Sequence, residues 1–251
     1  MMLFILFILG ACVGSFLGVL IDRLPKEEKI MMDRSRCDYC HIVLPAYALI
    51  PLVSYVLSRG KSFCCHKPLP VFYPCIELLT AALFVGSFLV SPNSVVAVSS
   101  CIIGSILLVI FFTDLFSGVI PVMLVLLGIL VTGGMYLLLH VSFLPYLIGM
   151  GVAGGLFGFL ILVTKGKGMG MGDLFFALLM GFLLGFPGII VGLYIAFLTG
   201  AFISLILVIA KKRKLKGGSV PFVPFLILAT IITILYGTQI TAYFVSYFPR
   251  F

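Results

Sequence analysis

Apolar residues run along this chain in blocks of about twenty, separated by short polar stretches and one long one. Eight blocks stand out, at about 2–21, 74–90, 95–113, 120–139, 143–164, 174–186, 188–210 and 221–245. A helix needs about 20 mainly apolar residues to cross a hydrocarbon core of roughly 30 Å, so the pattern predicts eight membrane-spanning helices. The sixth block is the shortest. The polar exception is 22–73, which gives an expected organisation of a first helix (1–21), a polar insert (22–73) and a helical bundle (74–251). The first block carries no N-terminal positive charge, and the Asp22-Arg23-Leu24-Pro25 that follows offers no small-residue cleavage site. It is therefore expected to remain as a helix rather than to be removed as a signal peptide.

Composition agrees. Of 251 residues 63% are hydrophobic and 10% charged, where soluble domains carry about 25% charged residues. A soluble fold, a disordered chain and a secreted disulfide scaffold are excluded together, leaving an all-α polytopic membrane protein. The net charge of +8 would point to nucleic acid in a soluble protein, but cytoplasmic loops of membrane proteins collect Lys and Arg. With eight spans and a cytoplasmic 22–73 insert, loops 114–119, 165–173 and 211–220 fall on the same side. Fifteen of the sixteen basic residues are then cytoplasmic, and only Arg250 is not. The charges report orientation in a cell membrane, and no nucleic-acid partner is expected. The basic run at 211–216 has the charge to touch anionic lipid, although a topology anchor explains it equally well.

Against that background two acids are conspicuous. Beyond Glu77 the chain holds only Asp114 and Asp173. Asp114 closes the third predicted span and Asp173 opens the sixth, so the topology puts both at the cytoplasmic boundary on different helices. An ionisable group at a span is costly and is by default functional. Two carboxylates within reach of each other share a proton and can activate a water while protonating a carbonyl, the chemistry of an aspartyl protease. The plainer alternative is that each acid caps a helix, Asp173 being suited to a helix N-terminus. Asp173 follows Gly166, Gly168, Gly170 and Gly172. Glycine at every second position permits close backbone approach and positive φ, which would offer the acid to an extended substrate. Neither phosphate-loop pattern fits this run.

Gly170-Met171-Gly172-Asp173 matches the Gly-x-Gly-Asp signature of intramembrane aspartyl proteases. Further motifs stand in order along the chain: Gly14-Ser15-Phe16-Leu17 with Arg23-Leu24-Pro25, Ile50-Pro51-Leu52-Val53-Ser54-Tyr55, Arg59-Gly60-Lys61, Tyr73-Pro74-Cys75-Ile76-Glu77, Asp114 with Ile120-Pro121, and Val220-Pro221-Phe222-Val223-Pro224-Phe225. Over nearly its whole length the chain thus resembles the type IV prepilin peptidases, the leader peptidase and N-methyltransferase family that includes relatives in competence systems. The resemblance implies cleavage of the leader from prepilins or pseudopilins, with Asp114 and Asp173 catalytic and Gly170, Gly172, Pro221, Phe222 and Pro224 as motif positions around substrate. It further implies methylation of the new N-terminus from S-adenosylmethionine, with Glu77 placed to hold the cationic donor or the new amine unless it merely caps its helix.

Of the seven cysteines, Cys12 and Cys101 lie in apolar spans and read as packing residues. Cys37-x-x-Cys40 and Cys64-Cys65 lie in the insert, where a reducing compartment favours tetrahedral zinc over a disulfide. An insert with little core of its own gains most from such a staple. The resembled family shows two Cys-x-x-Cys pairs; alignment on Arg59-Gly60-Lys61 puts Ser62 at the third position and Cys65 at the fourth. Cys37, Cys40 and Cys65 are the expected ligands, with Cys64 sliding into the vacant role and His41 or His66 as substitutes. Two rival readings remain: a small transporter or channel using Asp114 and Asp173 as an ion or proton relay, and a membrane-anchored zinc adaptor. The first should show repeat symmetry or acids at the midplane, and the second needs far fewer helices.

Overall fold

The structure, a computed structural model, describes residues 1–28, 37, 39, 40, 42–166, 169–209 and 221–247. Asp38, His41, Lys167, the basic run at 211–216 and Arg250 lie outside the described residues. Among the described residues there are nine α-helices: α1 (Met2–Arg23), α2 (Val53–Leu57), α3 (Phe72–Val90), α4 (Ser94–Ser117), α5 (Val122–Leu138), α6 (Leu144–Thr164), α7 (Met171–Leu184), α8 (Gly188–Ile209) and α9 (Val223–Tyr247). Eight of them occupy the eight apolar blocks, and α2 lies in the polar insert. By length and composition α1, α3, α4, α6 and α8 are able to cross a membrane; α5, α7 and the apolar part of α9, Val223–Gly237, are shorter apolar helices of 10–17 residues. The chain is an all-α, multi-pass membrane protein.

Two boundaries differ from the sequence reading, and both differences touch the candidate site. α4 runs to Ser117, past Asp114, because nothing in Leu115-Phe116-Ser117 stops a helix. The stop is Gly118, whose φ of +64° suits a residue without Cβ and whose amide donates to the Asp114 carbonyl at 2.9 Å. α7 starts at Met171, so Asp173 stands in its first turn rather than opening it.

The chain divides into two compact units, Met1–Val109 and Ile110–Phe251. In the first, α1 and α3 pack antiparallel along Gly10, Gly14 and Gly18, which face Ala81, Glu77 and Tyr73 in turn. A Cβ at Gly10 or Gly14 would stand 2.7 Å from a backbone Cα of α3, so the approach requires glycine at both, whereas one at Gly18 would meet the Tyr73 ring at an ordinary 3.4 Å. This is how helices associate where lipid removes the hydrophobic drive. Tyr73 ties the same pair together by donating to Asp22 at 2.7 Å. Cys101 is buried as expected, whereas Cys12 is exposed on α1, on the side away from the glycine seam.

In the second unit α6 and α7 cross at Gly149 and Gly181, each of which would drive a Cβ into the other's backbone. α5 lies against α7 with Gly128 under Leu179. The Tyr136 hydroxyl donates to the carbonyls of Phe182 and Leu183 at 3.2 and 3.1 Å, and its ring stacks on Tyr146 with centroids 4.0 Å apart. That contact satisfies carbonyls left open where α7 ends at Gly185.

Candidate active site and cysteine cluster

Asp114 occupies the last turn of α4 and Asp173 the first turn of α7. Both line one cavity of about 940 Å³, with Ile120, Met171, Pro221 and Phe222 among its walls. Asp114 is 5% exposed; the Val223 amide, at the start of α9, donates to it, while its Oδ2 is buried without a hydrogen-bond partner. Buried polar atoms are paired as a rule, and an exception calls for an explanation. Here the unpaired oxygen belongs to a cavity-lining acid. Asp173 is half-buried, and its Oδ2 accepts the Gly170 amide at 2.9 Å, so the capping role weighed from sequence is present alongside the cavity position.

The described glycines before Asp173 divide between the two uses the pattern allowed. Gly166 has a positive φ of +71°, but Gly170 is extended, with φ −83° and ψ 158°, a conformation open to any residue. Gly172 has a steric reason instead: a Cβ there would approach Ile120 Cδ1 to 2.6 Å. Gly170→Ala is therefore expected to keep activity, since its nearest neighbour would be Asp173 Oδ2 at 3.5 Å. Gly172→Ala must displace Ile120 and the turn that holds it. Overpacking of this kind costs about 1–3 kcal/mol, about 5- to 150-fold in rate if it falls on the barrier. Initial rates of the two variants on one substrate make the comparison.

Pro221, Phe222 and Pro224 are also placed. Pro221 and Phe222 line the cavity, and Pro224, at the second position of α9, has no amide of its own. Val223 was not singled out from sequence as an interacting residue. Its backbone contact with Asp114 leaves no trace in side-chain type, although its position inside the Pro-Phe-x-Pro segment is a pointer.

Glu77 lies on α3, five residues past the start of that helix, too deep to cap it. It is 8% exposed. Oε2 accepts the Leu52 amide at 2.7 Å, and the carboxylate also accepts from the Ser15 hydroxyl. Leu52 has φ 60° and ψ −47°, an unusual backbone for a branched residue, which the Glu77 bond helps to hold.

Cys37, Cys40, Cys64 and Cys65 gather with all four sulfurs within 4.8 Å of one another, and His66 is not part of the group. Cys37 Sγ is 3.7 Å from Cys65 Sγ, and Cys40 Sγ is 3.0 Å from Cys64 Sγ. These are free thiols. Zinc–sulfur bonds of about 2.3 Å in a tetrahedron require sulfurs about 3.8 Å apart, so the four donors fit a zinc ion after small adjustments. Cys64 supplies the position that Ser62 vacates. Ser62 itself is buried, with Oγ 3.2 Å from Cys37 and 3.1 Å from Cys64. Burial pushes the Cys37 thiol up, but hydrogen bonds from Ser62, the Tyr39 and Cys40 amides and Cys64 outweigh it and bring it down to about 6. The hydrogen bond with Cys64 is the main cause that pushes Cys40 up to about 12. A thiolate already favoured at Cys37 is what a metal ligand needs.

Fold and site together define a class: a multi-pass helical membrane protein with a paired-carboxylate cavity and a separate four-cysteine cluster. The Bacterial Peptidase A24 N-terminal domain matches residues 8–91, and the Type IV leader peptidase family matches residues 101–205. A prepilin leader peptidase/N-methyltransferase of Bacillus subtilis (strain 168) is 30% identical over 98% of this chain and 98% of its own length. One from Aeromonas hydrophila is 28% identical over 97% of this chain and 94% of its own. One from Myxococcus xanthus (strain DK1622) is 31% identical over 83% of this chain and 64% of its own. No solved structure matches. The chain belongs to the type IV leader peptidase family.

Proposed function

We propose that this protein removes the leader peptide of prepilins or pseudopilins at the cytoplasmic face of the cell membrane, with Asp114 and Asp173 as the catalytic pair. The observation that carries the reading is that these two acids, on separate helices, line one cavity. In the proposed reaction one carboxyl is ionised and the other protonated. The ionised one takes a proton from a water whose oxygen attacks the scissile carbonyl carbon, while its partner protonates the carbonyl oxygen. Collapse of the resulting diol breaks the C–N bond as a proton passes to the leaving amine. The Val223 amide would fix one oxygen of Asp114, and Oδ2, which has no hydrogen-bond partner, would be the oxygen that exchanges the proton with water. Co-expression with a candidate prepilin and mass measurement of its N-terminus tests this: the leader must be lost with the wild-type chain and retained without it.

The relatives' names carry a second activity, and we assign methylation of the new N-terminus to the insert and its junction with α3. S-adenosylmethionine would be the methyl donor. Glu77, the acid suggested for holding it, is committed to Leu52 and Ser15, so no step is routed through the cofactor here. The carboxylate instead acts by seating the insert. Gln at this position keeps an acceptor for the Leu52 amide but loses the charge that makes the bond strong. Glu77→Gln is accordingly expected to leave leader removal largely intact and to lower methylation. The product mass separates the cases, because a methyl group adds 14 Da (about) to the processed pilin. The four cysteines would hold one zinc ion that staples the insert and takes no part in either reaction.

A further inference from the structure

The insert carries apolar side chains on its outside that neither the cavity nor the cysteine cluster uses. Val56 and Leu57 on α2 are each 72% exposed, and Tyr47, Ile50 and Val53 beside them are 61%, 47% and 50% exposed. For a segment in water this is an unusual concentration. Its place in the fold is fixed by the bond from the Leu52 amide to Glu77, 2.7 Å long. Glu77 lies five residues into α3, about 7.5 Å along a helix that is long and apolar enough to span a membrane. α2, which starts at the next residue, is therefore held beside the entry of a span and not out in the cytosol. Val71, immediately before α3, is also exposed and continues the apolar surface to the span itself.

Charge identifies what meets this surface. From residue 39 to residue 76 there is no Asp or Glu, while Arg59, Lys61 and Lys67 fall within the stretch, all three exposed. A second copy of this chain would need matching acids, and its described acids outside the cavity are only Asp22, Glu27, Glu28 and the buried Glu77. A bilayer with anionic headgroups offers both an apolar layer and negative charge at that depth. We propose that α2 with Tyr47 and Ile50 is an interfacial anchor: its apolar side chains enter the headgroup layer of an anionic bilayer, with Arg59 and Lys61 on the lipid phosphates, and this fixes the height of the insert above the membrane.

The chain contains no Trp, so a single introduced one reports alone. Leu57→Trp and Val56→Trp are made in the full-length protein and reconstituted into nanodiscs containing phosphatidylglycerol, with and without acyl chains brominated near the headgroup. The expected result is a blue-shifted emission that brominated lipid quenches and aqueous iodide does not. Quenching should weaken in phosphatidylcholine alone or when Arg59→Glu and Lys61→Glu are added. Emission at the position of exposed Trp, quenched by iodide, would overturn the proposal. So would a blue shift indifferent to brominated lipid, which would place protein over the patch, and so would equal quenching in zwitterionic discs for the anionic requirement. Two Trp positions guard against one that perturbs the insert, and an unchanged limited-proteolysis pattern of the insert shows that each variant is folded.

Discussion

Asp114→Asn and Asp173→Asn are each expected to stop leader cleavage while the protein still accumulates in the membrane. Positioned acid–base groups contribute about 10²–10⁴-fold, and an amide can neither take a proton from water nor give one to a carbonyl. Because the proposed mechanism has both carboxyls act on one water, their effects should not add: the double variant should be little slower than either single one. The substitutions are nearly isosteric. Asn at 114 keeps an acceptor for the Val223 amide, and Asn at 173 keeps one for the Gly170 amide, so the cap and the α9 contact survive and the loss falls on chemistry. Time courses on a purified prepilin, with membrane-extracted protein quantified in parallel, decide it. Substantial cleavage by either single variant would remove the paired-carboxylate mechanism.

The metal is expected to matter nearly as much for the insert as the acids do for the cavity. Purified protein should contain about one zinc per chain, and Cys37→Ser or Cys40→Ser should lose most of it. Structural zinc contributes about 10–16 kcal/mol to small peptide domains. Between residues 37 and 71 the described residues include only two buried side chains, Cys37 and Ser62, far too little core to replace such a contribution. The insert should therefore become susceptible to limited proteolysis when either ligand is removed. Ser62 allows a sharper check, because its Oγ lies between Cys37 and Cys64. Cys64→Ser alone should weaken zinc binding, and adding Ser62→Cys should restore it by returning the ligand to the family's position. A native protein without metal, or an insert unchanged after both losses, would leave four reduced thiols with no staple.

How far the sequence led can be judged from particular residues. The eight apolar blocks were legible because a membrane span is written in length and composition, both local properties. The meeting of Asp114 and Asp173 in one cavity was legible because acids are so rare there that any two invite pairing. Helix ends were less so: α4 continues through Asp114 because apolar residues carry it on, and only the backbone at Gly118 shows where it stops. The glycines carried signals of two kinds. The run before Asp173 allowed both close approach and positive φ; Gly166 has the positive φ and Gly172 the close approach to Ile120, while Gly170 is extended and uses neither. Gly10, Gly14 and Gly18 were written at four-residue spacing, a helix-pairing signal open to reading in advance. What no residue type discloses is a backbone donor, and so the Leu52 and Val223 amides became visible only in three dimensions.

One dimension of α7 bears on how water reaches the acids. Its 14 residues extend about 21 Å, about 9 Å less than a typical hydrocarbon core. A helix that short is matched by local thinning of the bilayer, which costs a fraction of a kcal/mol per Å. With α7 placed across a bilayer, that deficit would bring the aqueous phase closer to Asp173, where the proposed hydrolysis would consume a water. Hydrophobic mismatch would then be part of the catalyst. Cleavage is expected to slow progressively as the enzyme is moved from short-chain to long-chain phosphatidylcholine bilayers, with the protein's fold and metal content unchanged.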